Sequence, residues 1–416
     1  MDLKERIRQI FLSQHSHLLA QYPADGEEYK KCVTQIIEGI VSRPRRDLTE
    51  EERKKIVSEL VDEFTGLGPV ETLMKDPAVT EIMINGPQKV YMEKNGRKEL
   101  TDITMTEQQL MALVYKILSP TRRHVDETSP YTDVAFKDGS RINIIIPPLA
   151  LDGATVTIRK FLKQIRKIED LLGFGTLDKR MADFLVACVK AKVNIMFAGA
   201  TGAGKTTTVD VLSSYLPNDE RILTIEDTAE LRLSQEHVVR LEAKQPNIEG
   251  KGEITIRDLF RNSLRMRPDR IILGEIRGAE ALDMLQAMCS GHNGSLAVIH
   301  ANSPAEVIYR IETMILTSGV LITLEAIHRQ IAAGLNLIVQ HEQLVDGSRK
   351  ITNITQVDGL KDGQVVLEDL FTYNVDSVTA EGKVYGRWIA TGATPAFYPL
   401  FKKAGVDLPV GIFNKD

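Results

Sequence analysis

The sequence predicts an α/β protein: a mainly parallel sheet preceded by a helical segment and a small α+β domain. Three observations predict it. From about residue 175 to 345, apolar runs of strand length alternate with amphipathic runs of helix length. One of those runs, residues 194–198, passes directly into a glycine-rich turn at 199–204. Residues 70–158 instead carry short β-rich runs separated by Gly-containing turns.

Taken in order, residues 1–68 read as a helical segment. Thr49 and Glu52 stand at capping-box spacing, Val57, Leu60, Val61 and Phe64 recur at helical spacing, and Gly66 and Gly68 end the helix. The basic turn Arg43-Pro44-Arg45-Arg46 before it reads as a solvated loop. Residues 69–160 form the α+β domain, with strands at 81–85, 90–93, 142–146 and 155–159 and a helix near 106–118. Asn95-Gly96 and Asp138-Gly139 are its turns. A basic run over 159–167 leads through a hinge linker, 161–175, to the core at 176–345. A β-rich extension, 346–416, follows. In it, 365–371 and 384–390 are expected to pair, and 396–400 leads to a short end helix.

Composition narrows the class. A chain of 416 residues suggests two or three domains at about 100–200 residues each, and 43% hydrophobic with 26% charged residues is globular. No run approaches the roughly 18 apolar residues of a membrane helix, and the charged start Met1-Asp2-Leu3-Lys4-Glu5-Arg6 lacks the apolar stretch of a signal peptide. A cytoplasmic protein is expected, one that works at a membrane only by docking to a partner there. Cys32, Cys188 and Cys289 are widely spaced and form no CxxC, so neither disulfides nor a zinc site is expected. A net charge of −5 and 6% aromatic residues argue against nucleic acid as the main partner.

Residues 199–206 match the G-x-x-x-x-G-K-[ST] spacing in full, between an apolar strand and an expected helix over 207–212. The glycines let backbone N–H groups wrap a phosphate, and the helix N-terminus adds partial positive charge. Lys205 then reaches the β- and γ-phosphates and Thr206 binds Mg²⁺. ATP and Mg²⁺ are the expected ligands, with Gly199, Ala200, Thr201, Gly202, Ala203, Gly204, Lys205, Thr206 and Thr207 as the binding residues.

Three further apolar runs end in polar groups, and in a parallel sheet such strand ends share the ligand edge. Residues 269–275 end in Glu275, which would order the Mg²⁺ shell or the attacking water; the bland alternative is a surface acid. Gly274 stands where many P-loop enzymes carry Asp, so fewer protein groups would hold the metal directly. Residues 221–225 end in Glu226-Asp227; Glu226 is the first choice to orient or deprotonate the lytic water, the alternative being a helix cap or surface acid pair. Residues 295–299 end at His300, which would sense the γ-phosphate; His292, eight residues earlier, is the weaker candidate, and either histidine alone would suit a structural role. Phosphoryl transfer also needs arginine charge. Arg141 and Arg159 lie before the core; Arg240, Arg267 and Arg277 lie within it, and each is equally suited to a structural ion pair.

Together these pieces resemble the secretion ATPase superfamily of type II and type IV secretion, conjugation and type IV pili. The supporting segments are 199–206, the acidic Ile225-Glu226-Asp227, Leu273-Gly274-Glu275-Ile276-Arg277-Gly278, and the histidine-bearing stretch 290–303. Gly274 is usual in that family. The chain is similar to the CpaF branch, which serves Tad/Flp pili, through Ile82-Met83-Ile84-Asn85-Gly86-Pro87, Asp138-Gly139-Ser140-Arg141, Ile146-Pro147-Pro148-Leu149-Ala150 and Thr157-Ile158-Arg159-Lys160-Phe161. The resemblance spans about residues 50–410. It implies a RecA-like core, a homohexamer, catalytic positions at Lys205, Thr206, Glu226, Glu275 and His300, and Arg141 and Arg159 approaching the phosphates. It also implies an inner-membrane pilus platform protein as partner, with the motor docked at the inner face of the cytoplasmic membrane. Rival readings are a type II secretion or conjugation ATPase, a nucleic-acid translocating motor, and a nucleotide-gated scaffold.

Overall fold

Apolar periodicity and turn chemistry translate into two compact units, residues 1–162 and 163–416. They are seen in a computed structural model that describes residues 3–15, 27–42, 49–121, 123–136, 138–160, 167–244, 246 and 251–415. The basic turn 43–46 and residues 161–166 of the expected linker lie outside the described residues.

The first unit opens with helices α1 (Leu3–His15), α2 (Glu27–Val41) and α3 (Glu50–Thr65). Their apolar faces meet through Ile7, Phe11, Val33, Ile37, Leu60 and Phe64, with the Phe11 and Phe64 rings 4.3 Å apart. Thr49 and Glu52 form the expected reciprocal cap of α3, which fixes where that helix starts. After α4 (Glu71–Lys75) come strands β1 (Val79–Asn85), β2 (Val90–Lys94) and β3 (Arg97–Leu100), helix α5 (Glu107–Leu118), then β4 (Tyr131–Ala135), β5 (Arg141–Ile145) and β6 (Thr155–Arg159). The strands form an antiparallel sheet in the order β3-β2-β1-β6-β5-β4, with α5 burying Leu110, Leu113, Val114 and Ile117 against it. Lys116 on α5 donates to Glu63 O and Phe64 O, the open carbonyls at the end of α3. Burial pushes the Lys116 amine down to about 8.

The second unit holds α6 (Ile168–Gly173), α7 (Lys179–Lys190), β7 (Ile195–Gly199), α8 (Lys205–Ser213), β8 (Ile222–Glu226), β9 (Val238–Glu242), α9 (Ile256–Ser263), β10 (Arg270–Ile276), α10 (Glu280–Cys289), β11 (Leu296–Ile299), α11 (Pro304–Thr317), α12 (Leu324–Gly334), β12 (Leu337–Gln343), β13 (Arg349–Lys361), β14 (Gln364–Val378), β15 (Val384–Ala390) and α13 (Pro399–Lys403). Among the described residues one sheet runs β15-β14-β13-β12-β7-β11-β10-β8-β9. The stretch from β12 to β9 is parallel, and β13 to β15 extend it antiparallel. Side chains of β7 alternate between two cores: Ile195 and Phe197 join α7 and α8 on one face, Met196 and Ala198 join α9 to α12 on the other. The fold is therefore the mixed α/β class expected, with the glycine-rich turn leaving a central parallel strand.

The strands expected to pair, β14 and β15, are antiparallel neighbours, but in a shifted register. Residues 365–371 pair chiefly with β13 (Val365 opposite Leu360, Phe371 opposite Ile354), and 371–378 pair with β15. The strand is longer than its apolar run, because Asn374, Asp376 and Ser377 continue it on an exposed edge. The short end helix is α13, whose Phe401 packs with Phe413 around the buried Phe184 ring.

Arg270, at the start of β10, is fully buried and pairs with Glu220 at 2.6 Å. Gly294 lies against it at φ +78°, and a Cβ there would meet Arg270 Nη1 at 2.1 Å. Gly294→Ala is therefore expected to destabilise the chain by about 3 kcal/mol, from the strained backbone and the displaced ion pair. A thermal melt should fall by roughly 6–12 °C for a unit of this size; an unchanged melt contradicts the packing described.

Candidate functional site

Because β7, β8, β10 and β11 are parallel, their carboxyl ends share one edge of the sheet. Leaving β7, the chain turns at Gly199 with φ +148°, where a Cβ would strike His341 O at 2.4 Å, so only glycine fits. It enters α8 through Gly204, the N-cap, at φ +100°. Residues Ala200, Thr201, Gly202 and Ala203 complete the turn, and Thr206 and Thr207 lie in the first turn of α8, partly exposed.

Lys205 folds back over this loop. Its ammonium donates to Gly199 O and Ala200 O at 2.8 Å each, and stands 3.4 Å from His300 Nδ1. A nitrogen facing an ammonium must accept, so His300 carries its proton on Nε2. That N–H points at Glu275 Oε1, 3.1 Å away. Glu275 Oε2 in turn accepts from Arg277 Nη2 at 2.7 Å, and Arg277 Nη1 lies 3.8 Å from Asp227. One polar chain thus runs Lys205–His300–Glu275–Arg277–Asp227. Burial pushes the Glu275 carboxyl up, but hydrogen bonds from His300 and Arg277 outweigh it and hold the group at about 2. Glu280 fixes the following turn by accepting from Arg277 N and Gly278 N.

Glu226, at the end of β8, is buried. Its Oε2 accepts from Glu230 N and Leu231 N, while Oε1 has no hydrogen-bond partner among the described residues. Burial raises its proton affinity above the ordinary carboxylate range, against the pull of those two amides. Gly274 is the reason this side chain fits: a Cβ there would meet Glu226 Cγ at 2.7 Å. An aspartate at 274 and the observed Glu226 conformer exclude each other.

The remaining candidates separate. Arg277 belongs to the chain above. Arg240, on β9, is exposed and acts on Glu226 only through its charge. Arg267 (φ +54°) precedes β10, and His292 precedes β11, so both sit at the opposite end of the strands from the glycine turn. Arg141 and Arg159 belong to the first unit, where they stand directly opposite each other on β5 and β6; Glu81 lies 3.4 Å from Arg159 and offsets the like-charge pairing. Two residues that the sequence reading passed over touch the loop: His341 on β12 and Arg349 on β13, whose Nε donates to Gly202 O at 2.7 Å. The signal for His341 was a buried polar pair, Gln340-His341, directly after the apolar run Leu337-Ile338-Val339; Arg349 carried none.

A parallel sheet delivering a strand–glycine turn–helix with a buried, loop-wrapping lysine defines a P-loop protein. Residues 63–369 match the family model described as "Type II/IV secretion system protein", and the chain belongs to that family. A Mycobacterium tuberculosis protein named for conjugal transfer is 32% identical over 302 residues, covering 71% of this chain and 85% of its own. The type IV secretion system protein VirB11 of Bartonella henselae is 29% identical over 329 residues, covering 70% and 92%. Among solved structures, the VirB11 ATPase of the Brucella suis type IV secretion system, in complex with sulphate, is 29% identical over 69% of this chain and 91% of that one, with a TM-score of 0.38.

Proposed function

We propose that this chain is an ATP-hydrolysing motor that assembles into a six-membered ring and powers assembly of a Tad/Flp type IV pilus. Retraction by the same ring is also compatible with this reading. The carrying observation is the single polar chain from the P-loop lysine through His300 to Glu275, beside the buried Glu226. Family membership supports a secretion-system motor, and the motif resemblance to the CpaF branch supports the pilus. No described helix is long and apolar enough to cross a membrane. The motor is therefore proposed to act from the cytoplasm, docked on an inner-membrane platform protein.

The donors fit the ligands. The Thr206 hydroxyl and Glu275 carboxylate are hard oxygen donors of the kind Mg²⁺ takes, and two of them leave the other positions to phosphate and water. When bound, the ion would neutralise charge on the phosphate oxygens. The chain's own residues do the rest. Backbone N–H groups of 199–206 and the Lys205 ammonium hold the triphosphate. Glu226 Oε1 accepts a proton from water as its oxygen attacks the γ-phosphorus; the bond to the β-phosphate oxygen breaks, leaving ADP and phosphate. His300 links lysine to Glu275 and so registers the γ-phosphate's presence. Arg141 and Arg159 are proposed, on the motif resemblance alone, to supply further positive charge to the phosphates.

Steady-state turnover of Mg-ATP by the purified chain tests the motor; a chain that binds but does not turn over ATP is a scaffold instead. Deletion in the native host tests the pathway: loss of surface pili with conjugation intact supports it, and the reverse assigns the motor to conjugation. Hydrolysis stimulated by DNA, and suppressed by salt, would move it to nucleic acid. Gly274→Ala is a sharper probe of the site. It is expected to drive Glu226 from its seat and lower turnover about a hundredfold with little loss of nucleotide affinity; unchanged turnover contradicts the proposed role of Glu226.

A further inference from the structure

Strands β12 and β13 are in contact with the phosphate loop. His341 is 1% exposed and lies opposite Gly199 in the β12–β7 register. Its Nδ1 stands 3.3 Å from Ala198 O and 3.2 Å from Val339 O, two groups that can only accept. That nitrogen therefore carries the proton. Nε2 lies 2.9 Å from Thr208 Oγ1 and, in the neutral ring, accepts the hydroxyl proton. Burial lowers the imidazole's proton affinity to about 4, so the ring is neutral under physiological conditions. Thr208 is itself 1% exposed, in the first turn of α8, and its hydroxyl also stands 3.2 Å from Gly204 O. A hydroxyl has one proton, and the imidazole decides where it goes.

Arg349, at the start of the next strand, donates to Gly202 O, and its Cδ lies 3.6 Å from where a Cβ on Gly204 would stand. Two glycines of the loop are thus held by the same hairpin, Gly199 by the His341 backbone and Gly202 by Arg349, while the Thr208 hydroxyl, donating to His341 Nε2 rather than to Gly204 O, ties the first turn of α8 to β12. Loops that bind phosphate through backbone N–H groups work only when those groups already point inward.

We propose that the β12–β13 hairpin presets the phosphate loop, with His341 as a positioning residue that acts through the Thr208 hydroxyl. Neither residue touches the nucleotide. The inference rests on the reading of residues 199–206 as a nucleotide site. It adds that the affinity of that site is set from the far side of β7, by strands lying outside the loop motif.

Equilibrium titration of the full chain with a fluorescent ADP and Mg²⁺ tests it, using Thr208→Val, Thr208→Ser, His341→Asn and the double variant Thr208→Val/His341→Asn. His341→Asn keeps a donor near the Nδ1 position and removes the Nε2 acceptor. Each of Thr208→Val and His341→Asn is expected to weaken ADP binding about tenfold, the effect of losing one buried hydrogen bond. Thr208→Ser restores the hydroxyl and should bind within about twofold of the wild type. The double variant should be no weaker than either single one, because both remove the same bond. Wild-type affinity in Thr208→Val, or single effects that multiply in the double variant, overturns the proposal. Should His341→Asn fail to fold, the Thr208→Val and Thr208→Ser pair decides alone. Wild-type chain that binds no ADP overturns the nucleotide reading and this inference with it; wild-type binding lost in Lys205→Ala but unaltered in Thr208→Val overturns only this inference.

Discussion

Alanine at Lys205 is expected to reduce ATP turnover at least about a thousandfold and to weaken nucleotide binding severely. The side chain has two tasks in the structure. Its ammonium bonds Gly199 O and Ala200 O, so it braces the loop, and it faces His300 Nδ1, so it connects the loop to Glu275. Removing it takes away the positive charge meant for the β- and γ-phosphates. It also leaves two loop carbonyls without their donor and frees the His300 ring to turn. The melt of the ligand-free variant separates these effects: a modest fall with binding lost places the defect in charge, whereas collapse of the melt places it in bracing. Normal turnover in Lys205→Ala would remove the site assignment altogether.

Much of this site was legible because its chemistry sits at strand ends. The apolar run that became β7 stops at the glycine turn and those that became β8, β10 and β11 stop at polar groups, and parallel pairing carries all four ends to one edge whatever the loops between them do. The same logic separates His300, after β11, from His292, before it. Less legible was everything set by side chains crossing between strands. Gly274 looks like a missing ligand in the sequence; in three dimensions it is the space that Glu226 occupies. His341 and Arg349 reach the loop from strands whose residues follow no loop motif. Two strands of the first unit escaped notice for a plainer reason. All four residues of β3 are exposed, and β4 buries only Val134, so neither shows the alternation that marks a half-buried strand.

The two acidic residues should part company when each is neutralised. Glu275 stays ionised far below neutrality, held by His300 and Arg277, so it is a poor proton acceptor and a good fixed charge. Glu226 is buried, has one oxygen without a partner among the described residues, and holds protons more tightly than an ordinary carboxylate, as a general base should. Glu275→Gln is therefore expected to lower turnover at least about a hundredfold through loss of orientation and charge, while the acid limb of the pH–rate profile keeps its position. Glu226→Gln should cost a similar factor and erase that limb, because the group that must be deprotonated for reaction is gone. In the wild type the limb should lie above the usual carboxylate range, since burial raises Glu226 and its deprotonated form is the active one. A limb that vanishes in Glu275→Gln and survives in Glu226→Gln would exchange the roles. The exchange would also mean that ligand binding breaks the Glu275–His300–Arg277 contacts, since only a Glu275 released from both cations could regain the proton affinity a base requires.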